Sequence, residues 1–151
     1  MKQTPLHSLY TQRAAKMAEF QGWQLPVQFG DPADEHHAVR SAVGMFDVGF
    51  LGRIEVAGPG AEPLLQSLFS RNVERLAEGM AAYGLLCTQT GGILDTPLLF
   101  RLPSGKNRKR FILTTSAIAT EKVLSRFGEC REKDVELTDR TAELAQFALQ
   151  G

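Results

Sequence analysis

Apolar and polar positions alternate along this chain with two different periods. Between residues 6 and 20, Leu6, Leu9, Tyr10, Met17 and Phe20 fall near helical spacing and stop at Gly22, which predicts a short amphipathic helix. From Gly22 to Gly30 apolar and polar side chains alternate, and Pro26 rules out a central strand, so an ordered extended loop or edge strand is expected. Asp31 and Pro32 form a capping pair for a second helix, with Ala38, Val39, Ala42 and Val43 on one face and Gly44 as its end.

From residue 50 onward the pattern becomes one of strands and helices. Gly52–Ala57 reads as a half-buried strand, and Gly58-Pro59-Gly60 turns it into a helix carrying Ala61, Leu64, Leu65 and Leu68. Ala82–Cys87 and Thr96–Leu102 read as strands joined by a hairpin at Thr88–Gly92, and the β-branched run Arg110–Thr115 follows. Ser116 is placed to cap a helix with Ala119, Val123, Leu124 and Phe127 on one side, ending at Gly128. Asp134–Thr138 and Ala142–Leu149 complete the strands. The order predicts an α+β fold: an antiparallel-rich sheet with helices on one face, close to a split βαβ, ferredoxin-like plan.

Composition narrows the class. With 151 residues the chain fits one domain spanning its whole length, and the 17 basic and 17 acidic side chains cancel. That balance argues against a nucleic-acid or membrane-surface binder. The start lacks a secretory signal and no stretch is long and apolar enough to span a bilayer, so a cytoplasmic location is expected. Cys87 and Cys130 lack metal or disulfide spacing and read as small, buried or half-buried side chains.

Most candidate polar residues read as structural when taken singly. Trp23, Pro26 and Phe29 read as a packed loop, and Asp47 as a turn-orienting carboxylate. His36 and His37 diverge on a helix and make poor joint metal ligands, so no metal is expected. The basic run Lys106–Arg110 reads as a solvated hairpin tip, with an anion contact as its functional alternative.

Four stretches taken together resemble one known family. They are Thr4-Pro5-Leu6, then Phe20 through Gly30 (FQGWQLPVQFG), then His37–Arg40 with Gly44–Val48, and Gly91-Gly92-Ile93-Leu94-Asp95. In this order and spacing they resemble the opening of the glycine-cleavage T-protein (aminomethyltransferase) family. The resemblance reaches Phe147–Gly151, and family members continue beyond that point. The chain is then expected to match the first part of the folate-binding region, either as a piece or as a short paralogue. The resemblance implies tetrahydrofolate as cofactor and a lipoyl carrier protein as partner. It also implies transfer of a methylene group to the pterin nitrogens, with a carboxylate steadying a cationic intermediate.

The resemblance also locates differences. The second aspartate of the family's Gly-Gly-Ile-Leu-Asp-Asp motif, its assigned acid, is Thr96 here, which cannot ionise at neutral pH. Neighbouring Asp95 would point to the other sheet face. Phe100 stands where the family has a tyrosine, expected on the same strand face as Thr96; Ser116 and Ala119 replace two asparagines, and Gly49-Phe50-Leu51 replaces Ser-His-Met. Tyr83 matches a pocket tyrosine. The resemblance thus implies a folate-type domain with Tyr83, Phe100, Ser116 and Leu51 around the ligand and ordinary aminomethyl transfer disfavoured. Two alternatives stay open: a non-catalytic folate-binding scaffold of the iron-sulfur assembly kind, and a homo-oligomer in which Tyr83, Asp95 or a partner-supplied carboxylate completes the site.

Overall fold

A computed structural model describes residues 1–105 and 108–151. Its elements begin β1 (Lys2–Gln3), α1 (His7–Gln12), β2 (Lys16–Phe20), β3 (Trp23–Gln28), α2 (Pro32–Ser41), β4 (Gly44–Asp47), β5 (Gly52–Gly58) and α3 (Ala61–Leu68). They continue with β6 (Ala81–Tyr83), β7 (Leu86–Cys87), β8 (Ile93–Asp95), β9 (Leu98–Arg101), β10 (Lys109–Thr115), α4 (Thr120–Cys130), β11 (Glu136–Asp139) and β12 (Phe147–Gln150). The chain divides into two compact units, one of residues 1–50 with 143–151 and one of residues 51–142. Among the described residues, no helix is long and apolar enough to cross a membrane.

In the first unit the helix expected across residues 6–20 stops at Gln12, and its second half is strand β2. The deciding signal is the turn: Gln21 and Gly22 both take positive φ (51° and 82°), the geometry of a tight hairpin, and fold β2 back onto β3. Met17 and Phe20, spaced like helix neighbours, are strand residues instead. Strand β3 lies between β1 and β2, which the Pro26 argument did not foresee. Its logic survives locally, because β1 pairs only with Trp23 and Gln24 and leaves the strand one-sided at Pro26. On the other side the register passes from Met17↔Pro26 to Lys16↔Gln28, so Val27 is bulged out.

The capping pair behaves as read. Asp31 Oδ1 accepts the Ala33 N–H at 2.8 Å with Pro32 opening α2, and Glu35 Oε1 accepts the N–H groups of Phe29 and Gly30 at 2.7 Å each. The helix ends at Ser41, and Gly44 already belongs to β4, which pairs antiparallel with β12. Asp47 orients a turn: Oδ1 accepts the Gly49 N–H at 2.8 Å and Oδ2 accepts the Tyr10 hydroxyl at 2.6 Å. Burial, and then the Asp47 carboxylate, push the Tyr10 hydroxyl above its ordinary range and keep it a donor.

The second unit holds a five-stranded sheet in the order β11-β5-β10-β9-β6, every neighbouring pair antiparallel. Its first four strands, with α3 and α4 as crossovers, make the split βαβ plan read from the sequence. Ile54 and Val56, Leu99, Phe111 and Leu113 point to the helical side, where Leu64, Leu65, Val123 and Phe127 close the core. Registers Leu113↔Ile54, Phe111↔Val56 and Leu113↔Leu99 keep these side chains in one layer.

Four details depart from expectation. Strand β5 is buried along its whole length rather than on one face. Its polar residues are covered by partners mostly distant in sequence: the Arg53 guanidinium donates to the nearby Leu51 carbonyl and to that of Thr141, and Glu55 lies between Arg110 (2.8 Å) and Arg140 (3.0 Å). The end of the basic run belongs to the sheet rather than to the tip, since Lys109 and Arg110 open β10, while Arg108 stays exposed and reaches Glu136 at 2.7 Å; Lys106 and Asn107 lie outside the described residues. Helix α4 runs through Gly128 to Cys130, and its start at Ala119 has no side-chain cap, so Ser116 does not cap it. Lastly, the long hairpin is broken midway. Residues 81–83 pair with β9 in the sheet, whereas Leu86 and Cys87 pair with β8 in a separate ribbon.

Two outcomes follow from this packing. Gly58 has φ +121° and an added Cβ would meet the Asp134 carbonyl oxygen at 2.0 Å, whereas Gly91 (φ +84°) faces open space. Gly58→Ala is expected to cost about 3 kcal/mol or more, and Gly91→Ala about 1 kcal/mol, measured by urea unfolding. Burial acts to raise the Glu55 carboxyl, but hydrogen bonds and charge from Arg110 and Arg140 outweigh it and hold the group below its usual value. A depressed carboxyl stabilises the fold fully above its unfolded pKa of about 4.3, and that stabilisation disappears as pH falls through the lower folded value. Glu55→Gln should therefore flatten the loss of stability below about pH 4, measured by melting temperature against pH.

Candidate functional site

The register of the five-stranded sheet defines the face turned away from the helices. Tyr83 stands opposite Leu98, and Leu98 opposite Thr114; one step along, Ala81 stands opposite Phe100 and Phe100 opposite Ile112. Side chains directly opposite in an antiparallel pair share a face. Tyr83, Leu98, Phe100, Ile112 and Thr114 therefore form one surface, with Tyr83 and Phe100 as diagonal neighbours. Tyr83 is 70% exposed and Phe100 is half-buried, so the surface offers an aromatic and aliphatic patch to a flat apolar ring. Across β10 the same face turns ionic, because Ile112 stands opposite Glu55 and Thr114 opposite Arg53.

At one end of the sheet the remaining site candidates collect. Gly52↔Thr115 is the last pair of the β5–β10 ladder, so Leu51 and Ser116 flank it. Gly52 is needed there, since an added Cβ would come within 2.3 Å of the Thr115 hydroxyl oxygen and 2.1 Å of that of Thr120. Asp95, at the end of β8, reaches the same place: its Oδ2 accepts the Ser116 N–H at 3.0 Å. The Ser116 carbonyl in turn accepts the Ala119 N–H at 3.1 Å and the Thr120 hydroxyl at 3.0 Å. These bonds fold residues 116–119 into a turn whose exposed residue is Ile118.

Thr96 is not on a strand, contrary to the reading that put it on one strand face with Phe100. It lies with Pro97 between β8 and β9, where the hairpin changes partner. Pro97 has no N–H for a ladder bond, and its buried ring fixes the break; on the facing side the Leu85 N–H is taken by Ser70 Oγ at 2.7 Å. The consequence is an abrupt change of environment between two neighbours. Asp95 is 9% exposed and bonded to a backbone amide, while Thr96 is exposed. The motif's carboxylate points inward and a neutral hydroxyl points outward.

Leu51, Asp95, Ser116 and the Tyr83–Leu98 pair thus come to one end of the sheet, and Phe100 lies one row further in. Sequence reasoning did not pick out Leu98, Ile112 and Thr114 on this face; their alternation with Leu99, Phe111 and Leu113 carried that signal. Among the described residues, no group of three His, Cys, Asp or Glu side chains is placed to hold a metal ion.

The chain is similar to known proteins in sequence and in fold. Residues 6–151 match the family described as the GCVT N-terminal domain. The chain is 42% identical over 151 residues to an aminomethyltransferase of Geobacillus kaustophilus and 39% identical over 155 residues to one of Symbiobacterium thermophilum. In both comparisons it is matched over its full length but spans 40% of the relative, so it corresponds to about two fifths of those proteins. The crystal structure of glycine cleavage system aminomethyltransferase T from Bartonella henselae superposes with a TM-score of 0.84 at 26% identity, covering 99% of this chain and 40% of that one. The chain belongs to the glycine-cleavage T-protein (aminomethyltransferase) family and corresponds to its N-terminal region.

Proposed function

We propose that this aminomethyltransferase-like domain takes a reduced folate against the Tyr83–Phe100 face of its sheet but does not by itself carry out aminomethyl transfer. The observation that carries this reading is the inversion at residues 95 and 96. The carboxylate of the motif is turned inward and holds the Ser116 amide, and the outward position is Thr96. A cationic one-carbon intermediate gains most from an opposite charge held close to it in a partly dry site. A threonine hydroxyl supplies a hydrogen bond to a pterin nitrogen without that charge. Tyr83, Leu98, Phe100 and Ile112 supply the flat apolar surface that a pterin ring needs, and the Ser116 hydroxyl is a further polar contact at its edge.

Restoring the carboxylate separates ring binding from charge. A hydrogen bond with one ionised partner is stronger than a neutral one by up to about 2 kcal/mol, which corresponds to roughly tenfold or more in affinity. Thr96→Asp is therefore expected to bind tetrahydrofolate about tenfold more tightly than the unmodified protein, measured by calorimetric titration under reducing conditions. Low-micromolar binding by the unmodified protein that Thr96→Asp fails to improve would sink this reading. So would aminomethyl turnover by the unmodified chain.

A further inference from the structure

The geometry points to Asp95 as a positioning residue: its carboxylate pins the Ser116–Ala119 turn from behind and thereby sets where that turn stands at the ligand end of the sheet. The ligand part of this inference rests on the folate reading; the pinning does not.

Strand β10 leaves the sheet after Thr115, and α4 begins only at Thr120. The residues between them carry one of the proposed ligand contacts, Ser116, and receive no side-chain cap from the helix start. A helix beginning without a cap leaves its first N–H groups to other partners, and a turn before it is free to shift unless something holds it. Two internal bonds shape this turn, from Ala119 N–H and the Thr120 hydroxyl to the Ser116 carbonyl. Neither ties it to the neighbouring ribbon. The bond from the Ser116 N–H to Asp95 Oδ2, spanning twenty-one positions in sequence, does so.

The chemistry suits fixing rather than reacting. A carboxylate accepting a backbone N–H makes a charge-assisted bond, stronger and more directional than a neutral one. Asp95 is almost fully buried, and Pro97 two residues on is buried as well, so the ribbon end that carries the carboxylate is itself held. The adjoining hydroxyl pair Thr115–Thr120, at 3.0 Å, closes the other side of the turn. Asp95 therefore couples two neighbours of the proposed ligand: Thr96, its covalent neighbour, and Ser116, its hydrogen-bond partner. It need not touch the ligand itself.

The test compares Asp95→Asn, which keeps an acceptor oxygen for the Ser116 N–H, with Asp95→Ala, which removes it. Two readouts are taken on each: amide hydrogen exchange at Ser116, with Phe111 and Leu113 as internal controls for the fold, and calorimetric titration with tetrahydrofolate. Ser116 protection should survive in Asp95→Asn and fall at least about tenfold in Asp95→Ala while the control amides stay protected. Tetrahydrofolate affinity should stay within about twofold of the unmodified protein in Asp95→Asn and weaken about tenfold in Asp95→Ala. If Asp95→Ala unfolds, Asp95→Asn still decides, because a loss of affinity in a folded Asp95→Asn protein means the charge itself meets the ligand and overturns the positioning role. Unchanged Ser116 exchange in a folded Asp95→Ala protein overturns it as well. Absence of tetrahydrofolate binding in the unmodified protein would remove the folate reading alone, since the exchange data judge the pinning without any ligand.

Discussion

A strand that is buried on both faces must find partners for polar side chains that a one-sided strand would leave in water, and β5 is such a strand. Its apolar residues, Ile54 and Val56, meet α3 and α4 and fix which face of the sheet is core. Its polar residues, Arg53 and Glu55, then have to lie on the opposite face, where an unpartnered buried charge would be costly. The arginines that neutralise Glu55 come from β10 and from the segment after β11, so the strand order β11-β5-β10 and the ionic cluster require each other. That cluster occupies one half of the outer face and leaves the apolar half, around β9 and β6, as the surface suited to a ring.

The second constraint is local. A hairpin continuous from Ala81 to Arg101 would put alternate residues on a single pair of faces throughout. Pro97 interrupts the ladder, and the chain near Phe69 and Ser70 captures Leu85 and Leu86 on the opposite strand. The outer half of the hairpin thereby leaves the main sheet and pairs as its own ribbon. Asp95 is brought under the turn at Ser116, and Thr96 falls outside either ladder. Proline sets not only where the strand ends but which of two adjacent polar residues is solvent-facing.

Much of this was legible along the chain. The second unit's strands and helices were, because period-two and helical apolar spacing differ clearly over Gly52–Leu68 and Arg110–Phe127. The Asp31-Pro32 cap was legible because capping is a short-range interaction whose partners lie within three residues. What was not legible depended on distant partners. Met17 and Phe20 have helix-compatible spacing, and only pairing with β3 makes them strand residues. The burial of Glu55 needs Arg110 and Arg140, and the hairpin break needs Ser70. At the candidate site, strand alternation set Asp95 and Thr96 on opposite faces, but Thr96 is off the strand and the contrast comes from the break at Pro97; the use of Asp95 was not legible either, since its partner amide is brought near only by the fold.

Scaffold and chemistry separate at this point of the structure for a physical reason. In this chain the motif's two adjacent positions are placed differently. One carboxylate holds the turn beneath the sheet end, and the next position faces outward. Loss of the inward group would release a backbone amide from its acceptor and leave the uncapped start of α4 without its tie to the ribbon, a cost to packing as well as to any ligand. Among the described residues no side-chain hydrogen bond involves Thr96, which is exposed and outside both ladders. The two positions are therefore under different constraints, and a chain can keep Asp95, the Gly91-Gly92 turn and the whole sheet while its outward residue changes character. The TM-score of 0.84 reports a shared backbone fold, which does not depend on the residue at position 96. Under the proposed folate reading, the charge presented to a ligand falls under the second constraint, and Thr96 leaves that position neutral.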